Sequence, residues 1–299
     1  MIIDAHAHVF SQPRIKYMNG DYKFMSAEEQ IQIMDKLGID MAVILPLSNP
    51  ESSPEVQGID EILGICEKYP GRFIPFCNID PRITNFLFKV DDKYFEFLLE
   101  QYKQLGCLGI GEITAKIYWD DPKLLQLLKA AEKIGFPVTF HTCTAGTDDY
   151  GLIDEMGFPR FEKVLQKFPN LIFLAHSNAW WAEISGDVKL EQKVDYPTGP
   201  VKPGGAVAKL MRTNPQLYSD ISANSGINAL MRDPAYAYEF IDEFQDKLVF
   251  GLDFCSVKND RPHINWLKDA RDQGNISNQA YEKIMWKNIN KILKMDTKI

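Results

Sequence analysis

The chain has 299 residues, 45% hydrophobic and 25% charged, with a formal net charge of -8 at pH 7. That balance suits a globular protein with a full core. It argues against binding along a nucleic-acid backbone, because no block of lysine and arginine offsets the acidic total. No apolar stretch is long enough to span a membrane, and no basic stretch followed by an apolar run marks a signal peptide. The five cysteines are odd in number and form no Cys-x-x-Cys pair. Reduced thiols in a cytoplasmic protein are the expectation.

Ile2 and Ile3 predict a short buried strand, and Asp4-Ala5-His6-Ala7-His8 follows at once. Strand residues two apart point the same way, so His6 and His8 aim two imidazoles at one point. Imidazole pairs of this kind suit zinc and similar divalent ions. A polar loop from Ser11 to Met25 comes next. Ser26 and Glu29 form a capping box for a helix that runs to Leu37 and stops at Gly38. Met41 to Leu47 is a continuous apolar run, as expected of a strand covered on both faces.

The alternation then repeats. Helix Val56 to Lys68 precedes strand Phe73 to Ile79, and helix Asp91 to Leu105 precedes strand Cys107 to Glu112. A helix opening at Asp121-Pro122 and running to Ile134 precedes strand Pro137 to His141. Helix Phe158 to Phe168 leads to strand Leu171 to His176, and helix Ala206 to Thr213 to strand Leu217 to Ile221. Helix Pro234 to Phe244 leads to the last strand, Leu248 to Asp253. An amphipathic helix, Asn278 to Leu293, closes the chain.

Eight strands alternating with helices, with no break in the pattern, predict a single (β/α)8 TIM barrel over residues 1–299. A doubly wound open sheet would carry a Gly-rich phosphate turn after an early strand, where this chain has Asp-Ala-His-Ala-His. In a barrel the chemistry sits at the C-terminal ends of the strands. Strand one ends in His6 and His8, strand four in Glu112, strand five in His141, strand six in His176 and strand eight in Asp253. Four of the five histidines, with two carboxylates, thus fall on one rim and point to a metal centre.

These motifs, in this order, resemble the metal-dependent amidohydrolase superfamily. The likeness is to the amidohydrolase-related branch that includes aminocarboxymuconate-semialdehyde decarboxylase. It runs from the His-x-His to the closing Met285-Trp-Lys-Asn-Ile-Asn-Lys-Ile-Leu. The resemblance implies metal ligation by His6, His8, His141 and Asp253. It places His176 either on a second metal or against substrate and water. Many binuclear members carry a carboxylated lysine after strand four, where this chain has Glu112. That glutamate is similar to the one in TatD-type nucleases and phosphotriesterase-like relatives, where it bridges two metals. One or two ions are therefore expected, with Glu112 either a ligand or a residue that orients a histidine.

The expected ion is divalent, zinc above others, supplying Lewis acidity and an activated water. Asp253 is the expected general base, and His176 would polarise the substrate oxygen or orient the water. The reaction expected is hydrolysis of an amide, ester or lactone of a small molecule. The alternative, a non-oxidative decarboxylation of an aromatic or unsaturated acid, uses nearly the same ligands. A TatD-like nuclease fits the acidic balance poorly, and neither nucleic acid nor membrane is an expected partner.

Rim loops should select the substrate. The long ones are 11–25, 142–157 and 178–205. Trp180 and Trp181 in the third either offer aromatic surface to a flat ligand or pack beneath the loop. Arg14, Lys16, Lys116 and Arg261 are candidate partners for a substrate carboxylate. His263, after Pro262, reads as a surface or supporting group. Apolar positions on the outer helices would serve a core or a homodimer interface alike.

Overall fold

The computed structural model describes residues 1–16 and 24–295. Its main parallel strands are β1 (Ile3–Ala7), β2 (Met41–Ile44), β3 (Phe73–Pro75), β4 (Ile110–Ile113), β5 (Val138–Thr144), β6 (Phe173–His176), β7 (Leu217–Asp220) and β8 (Leu248–Val249). The first three pair in order, as do the last five. Two bridges close the ring, Cys77 against Ile110 and Ala7 against Phe254. At the second junction Ala5 N donates to Phe250 O at 2.9 Å and Asp253 N to His6 O at 2.9 Å. The result is the expected single-domain (β/α)8 barrel, whose closure leaves no unpaired sheet edge.

Two hydrophobic layers follow from the alternation of side chains along each strand. Ile3, Val43, Ile74, Leu174 and Val249 come from five strands and meet in one buried cluster with Ile289 and Ile292 of the closing helix. The opposite strand faces pack against the helices in a larger cluster that includes Met34, Leu99, Leu128, Phe140 and Phe173. The helix Ala27–Leu37 has the predicted capping box, with Ser26 accepting from Glu29 N and Glu29 reaching back, and Gly38 ends it at φ +71°. Asp121 caps Pro122–Ile134 with proline in the first turn, as expected.

Several strands are shorter than the apolar runs predict, because their last residues leave the ladder to form the rim. Leu45 O, for example, accepts from the His8 ring at 2.9 Å. The second helix begins at Ile59, three residues later than expected. Gln57 is drawn inward instead, donating to Val9 O at 2.9 Å and accepting from Leu47 N at 3.2 Å. Three helices were not anticipated: Asn178–Ala182, Ala223–Met231 and His263–Asp272. The closing helix contains a π turn at Lys283–Lys287.

The 178–205 loop is anchored rather than loose. Lys193 is fully buried in an ion pair with Glu183, its ammonium 4.3 Å from the centre of the Phe158 ring. Glu183 also accepts from Gly157 N at 2.8 Å. The predicted 11–25 loop lies partly outside the described residues. No helix among the described residues is long and apolar enough to cross a membrane.

Candidate metal centre

The strand β1 is fully buried and delivers His6 and His8 to the rim. Asp4 pins it there, one carboxylate oxygen accepting from His6 N at 3.0 Å and Leu252 N at 2.9 Å. Burial, partly offset by those two bonds, raises the Asp4 carboxyl to about 7. Each histidine is oriented through Nδ1. His6 Nδ1 lies 2.6 Å from Asp220 Oδ2, and His8 Nδ1 lies 2.9 Å from Leu45 O. Both partners are acceptors, so both Nδ1 atoms carry hydrogen. Both Nε2 atoms therefore present lone pairs, and they face each other at 3.0 Å. Two lone pairs at that distance repel unless a cation, either a proton or a metal ion, lies between them.

Two carboxylates close the remaining sides. Glu112 Oε2 is 3.4 Å from His8 Nε2 and 3.8 Å from His6 Nε2. Asp253 Oδ1 is 3.5 Å and 3.8 Å from the same atoms. Donors bound at about 2.1 Å in a tetrahedron stand about 3.4 Å apart, and the separations of the imidazole pair from each other and from each carboxylate, 3.0 to 3.8 Å, suit a divalent ion beside that pair. The donor set of two imidazoles and two carboxylates is of zinc type, and manganese is also compatible.

Local backbone makes these approaches feasible. Gly111, next to Glu112, has φ +129°, and a Cβ there would come 2.3 Å from Thr139 O. At Gly251 a Cβ would come 2.7 Å from Asp220 Oδ1 and 3.1 Å from His6 Cβ. Asp253 itself holds φ +51°, a strained value for a residue with a side chain. Arg261 braces that turn, donating to Leu252 O at 2.6 Å and Asp253 O at 2.9 Å.

A second group adjoins the first. Glu112 Oε1 is 3.2 Å from His141 Nδ1, and Glu112, His141 and His176 form another cluster of candidate ligands. His141 Nε2 is buried without a partner, and its ring stacks on Tyr150 at 4.2 Å between centroids. His176 Nδ1 meets Ser222 Oγ at 3.0 Å, and its Nε2 is 3.9 Å from Asp253 Oδ2.

The electrostatics follow from burial and proximity. Burial alone would depress His6, but Asp220, Asp253 and Glu112 outweigh it and lift the imidazole to about 10. Burial, reinforced by the His6 charge, lowers His176 to about 4 and keeps it neutral. Burial opposes ionisation of Glu112 and Asp253, but the surrounding histidines overcome it and hold both carboxyls below their ordinary values. A cavity of about 350 Å³ opens over these groups, lined also by Phe24, Leu47, Glu51, Ser52, Tyr150 and Cys255.

Of the residues singled out in the sequence, His6, His8, Glu112 and Asp253 converge on one point. His141 and His176 stand beside it across Glu112. Trp180 and Trp181 do not face the cavity. Ser177 caps their short helix, and both indoles turn inward, donating to Ser219 Oγ at 3.1 Å and Asp220 O at 2.8 Å. They support the end of β7 rather than a ligand. Arg14 is exposed and donates to Gln12 Oε1 at 3.2 Å, away from the cavity lining. Arg261 is occupied by backbone carbonyls. Lys116 Nζ donates to Thr147 O at 3.1 Å. His263 is buried, its Nε2 donating to Ile221 O at 3.0 Å and Ala223 O at 3.1 Å. Asp220 was missed, although Leu217-Tyr-Ser-Asp220 ends β7 as His176 ends β6.

The amidohydrolase family model matches residues 3–295. A comparison with curated proteins gave no match. Among solved structures, the chain is similar to a probable 2-pyrone-4,6-dicarboxylic acid hydrolase from Acinetobacter baumannii. The identity is 15% and the TM-score 0.59, over 98% of this chain and 99% of that one. It is similar to a 5-carboxyvanillate decarboxylase from Novosphingobium aromaticivorans complexed with manganese, at 15% identity and TM-score 0.59, over 99% and 96%. An amidohydrolase from Burkholderia multivorans with bound zinc gives 10% identity and TM-score 0.62, over 99% of both chains. At these identities the likeness is one of fold.

Proposed function

The chain belongs to the amidohydrolase family, and on that premise we propose that it is a metal-dependent hydrolase of a neutral amide, ester or lactone in a small molecule. The observation that carries the metal is the approach of His6 Nε2 to His8 Nε2, flanked by Glu112 and Asp253. When bound there, a divalent ion supplies Lewis acidity and activation of water. Zinc is the ion we propose, held by His6, His8, Glu112 and Asp253, with His141 and His176 as a second donor group. The five cysteines are free, which supports a reducing compartment such as the cytoplasm.

The roles of the side chains follow from their positions. Asp253 turns one oxygen to the imidazole pair and the other to His176, and it is ionised before reaction. It is the general base, taking a proton from water and returning it to the leaving group. His176, neutral and fixed by Ser222, orients the substrate oxygen. Tyr150, stacked on His141, forms a flat wall of the cavity.

The cavity lining favours hydrolysis over decarboxylation. None of the described lining residues is lysine or arginine, and Arg82, behind the lining residue Glu51, is committed to Glu51 and Asp80. A carboxylate leaving as carbon dioxide would find no side-chain cation among those lining residues. The test is a screen of zinc-loaded protein against amides, esters and lactones, with aromatic and unsaturated carboxylic acids alongside. Hydrolysis of a neutral compound is expected. Carbon dioxide release from an acid, with every neutral compound untouched, would replace this reading by the decarboxylase.

A further inference from the structure

We propose that the Cys255 thiol is a further ligand of this centre, so that sulfur joins imidazole and carboxylate in the donor set. This rests on the reading that a divalent ion binds between His6, His8, Glu112 and Asp253. The left-handed turn at Asp253 brings the chain back toward the cavity, and Cys255, two residues on, lines it. Asn259 Oδ1 accepts from Cys255 N at 3.0 Å and Ser256 N at 2.9 Å, which fixes the turn. Cys255 Sγ lies 3.1 Å from Asp253 Oδ1, the oxygen that faces both imidazoles.

Ligand atoms of His8, Asp253 and Cys255 all lie within 4.8 Å of one another. A zinc–sulfur bond of about 2.3 Å beside a zinc–oxygen bond of about 2.1 Å sets the two donors about 3.6 Å apart in a tetrahedron, close to the 3.1 Å between Cys255 Sγ and Asp253 Oδ1. None of the other cysteines joins a group of three candidate donors among the described residues. The neighbouring imidazole marks the spot as a cation position. His8 is 4% exposed, its Nδ1 is committed to Leu45 O, and its Nε2 is surrounded by His6 Nε2, Glu112 Oε2 and Asp253 Oδ1.

Coordination breaks the S–H bond as the sulfur–metal bond forms. The proton passes to solvent, and no oxidation state changes. A sulfur donor shifts preference toward zinc, cobalt and cadmium and away from magnesium and manganese.

The test uses the metal-free full-length chain titrated with cobalt(II). Visible d–d bands report occupancy of the imidazole and carboxylate donors, and a near-ultraviolet charge-transfer band reports sulfur. Wild-type protein should show both at one equivalent. Cys255→Ser should keep the d–d bands and lose the charge-transfer band, whereas Cys143→Ser should keep both. The proposal is overturned by d–d bands without charge transfer in the wild type, or by a charge-transfer band that survives Cys255→Ser. Absence of all bands would overturn the metal centre itself, a result distinct from either. Because the wild-type spectrum alone can refute the assignment, a variant that fails to fold does not protect it.

Discussion

Asp220 Oδ2 stands 2.6 Å from His6 Nδ1, with both side chains buried. The carboxylate sets the tautomer of His6 and raises the basicity of the nitrogen on the far side of the ring. Asp220→Asn keeps the shape and removes the charge. Metal affinity should fall by roughly 10- to 100-fold. Competition with a chromogenic chelator measures it, and an unchanged Kd would remove Asp220 from this role.

Asp253→Asn should fold like the parent, as circular dichroism would report. It should lose roughly 10²- to 10⁴-fold in turnover once metal-loaded, the usual contribution of a positioned general base. Near-normal turnover would mean that another group takes the proton.

Metal loading should release one proton from His6 at neutral pH, and a second from Cys255 on the sulfur ligation proposed above. The carboxylates around His6 overcome its burial and hold the imidazole at about 10 without metal. Below that value a proton occupies the place the ion needs. The His6 proton alone should strengthen affinity by about tenfold per pH unit from pH 6 to 8, a thiol proton steepens this further, and acidification weakens binding. Calorimetric titration with zinc in buffers of different ionisation enthalpy gives the proton count directly. No release at pH 7 would contradict the assignment.

Trp181→Ala should destabilise the fold by about 3–5 kcal/mol, since it empties a buried indole site. Trp181→Phe should cost less, chiefly the bond to Asp220 O, about 1 kcal/mol. Denaturant unfolding distinguishes them. A change confined to KM, with stability untouched, would return the indole to the cavity.

The candidate metal-binding end of the barrel was legible because its residues follow one positional rule. His176 ends its strand, His6 and Glu112 stand one residue before the end of theirs, and Asp253 lies four residues past Val249, and such positions can be read from apolar runs. Asp220 obeys the same rule, but it sits in a run whose alternation is weak, Leu217-Tyr-Ser-Asp220. The tryptophans were ambiguous for a different reason. Composition marks Asn178 to Ala182 as aromatic, but the direction of the rings depends on Ser177 capping a short helix and on Ser219 and Asp220 O accepting from the indoles. The helix Ala223–Met231 opens just after β7 and His263–Asp272 after the rim loop that follows β8, where rim residues such as Ser222 and Pro262 mask the helical period. The role of Arg261 was equally hidden, since a guanidinium committed to backbone carbonyls has the same sequence signature as one free to meet a substrate.

The bond from Asp253 N to His6 O ties the last strand to the first at the place where the donors meet. Activity is therefore a property of the completed ring. A nascent chain carries His6 and His8 long before Asp253, and their set of partners is complete only once that residue has emerged and docked. An ion captured there clasps the two ends of the ribbon and biases folding toward the closed state by mass action. Synthesis of this protein thus passes through no truncated form able to carry out the reaction.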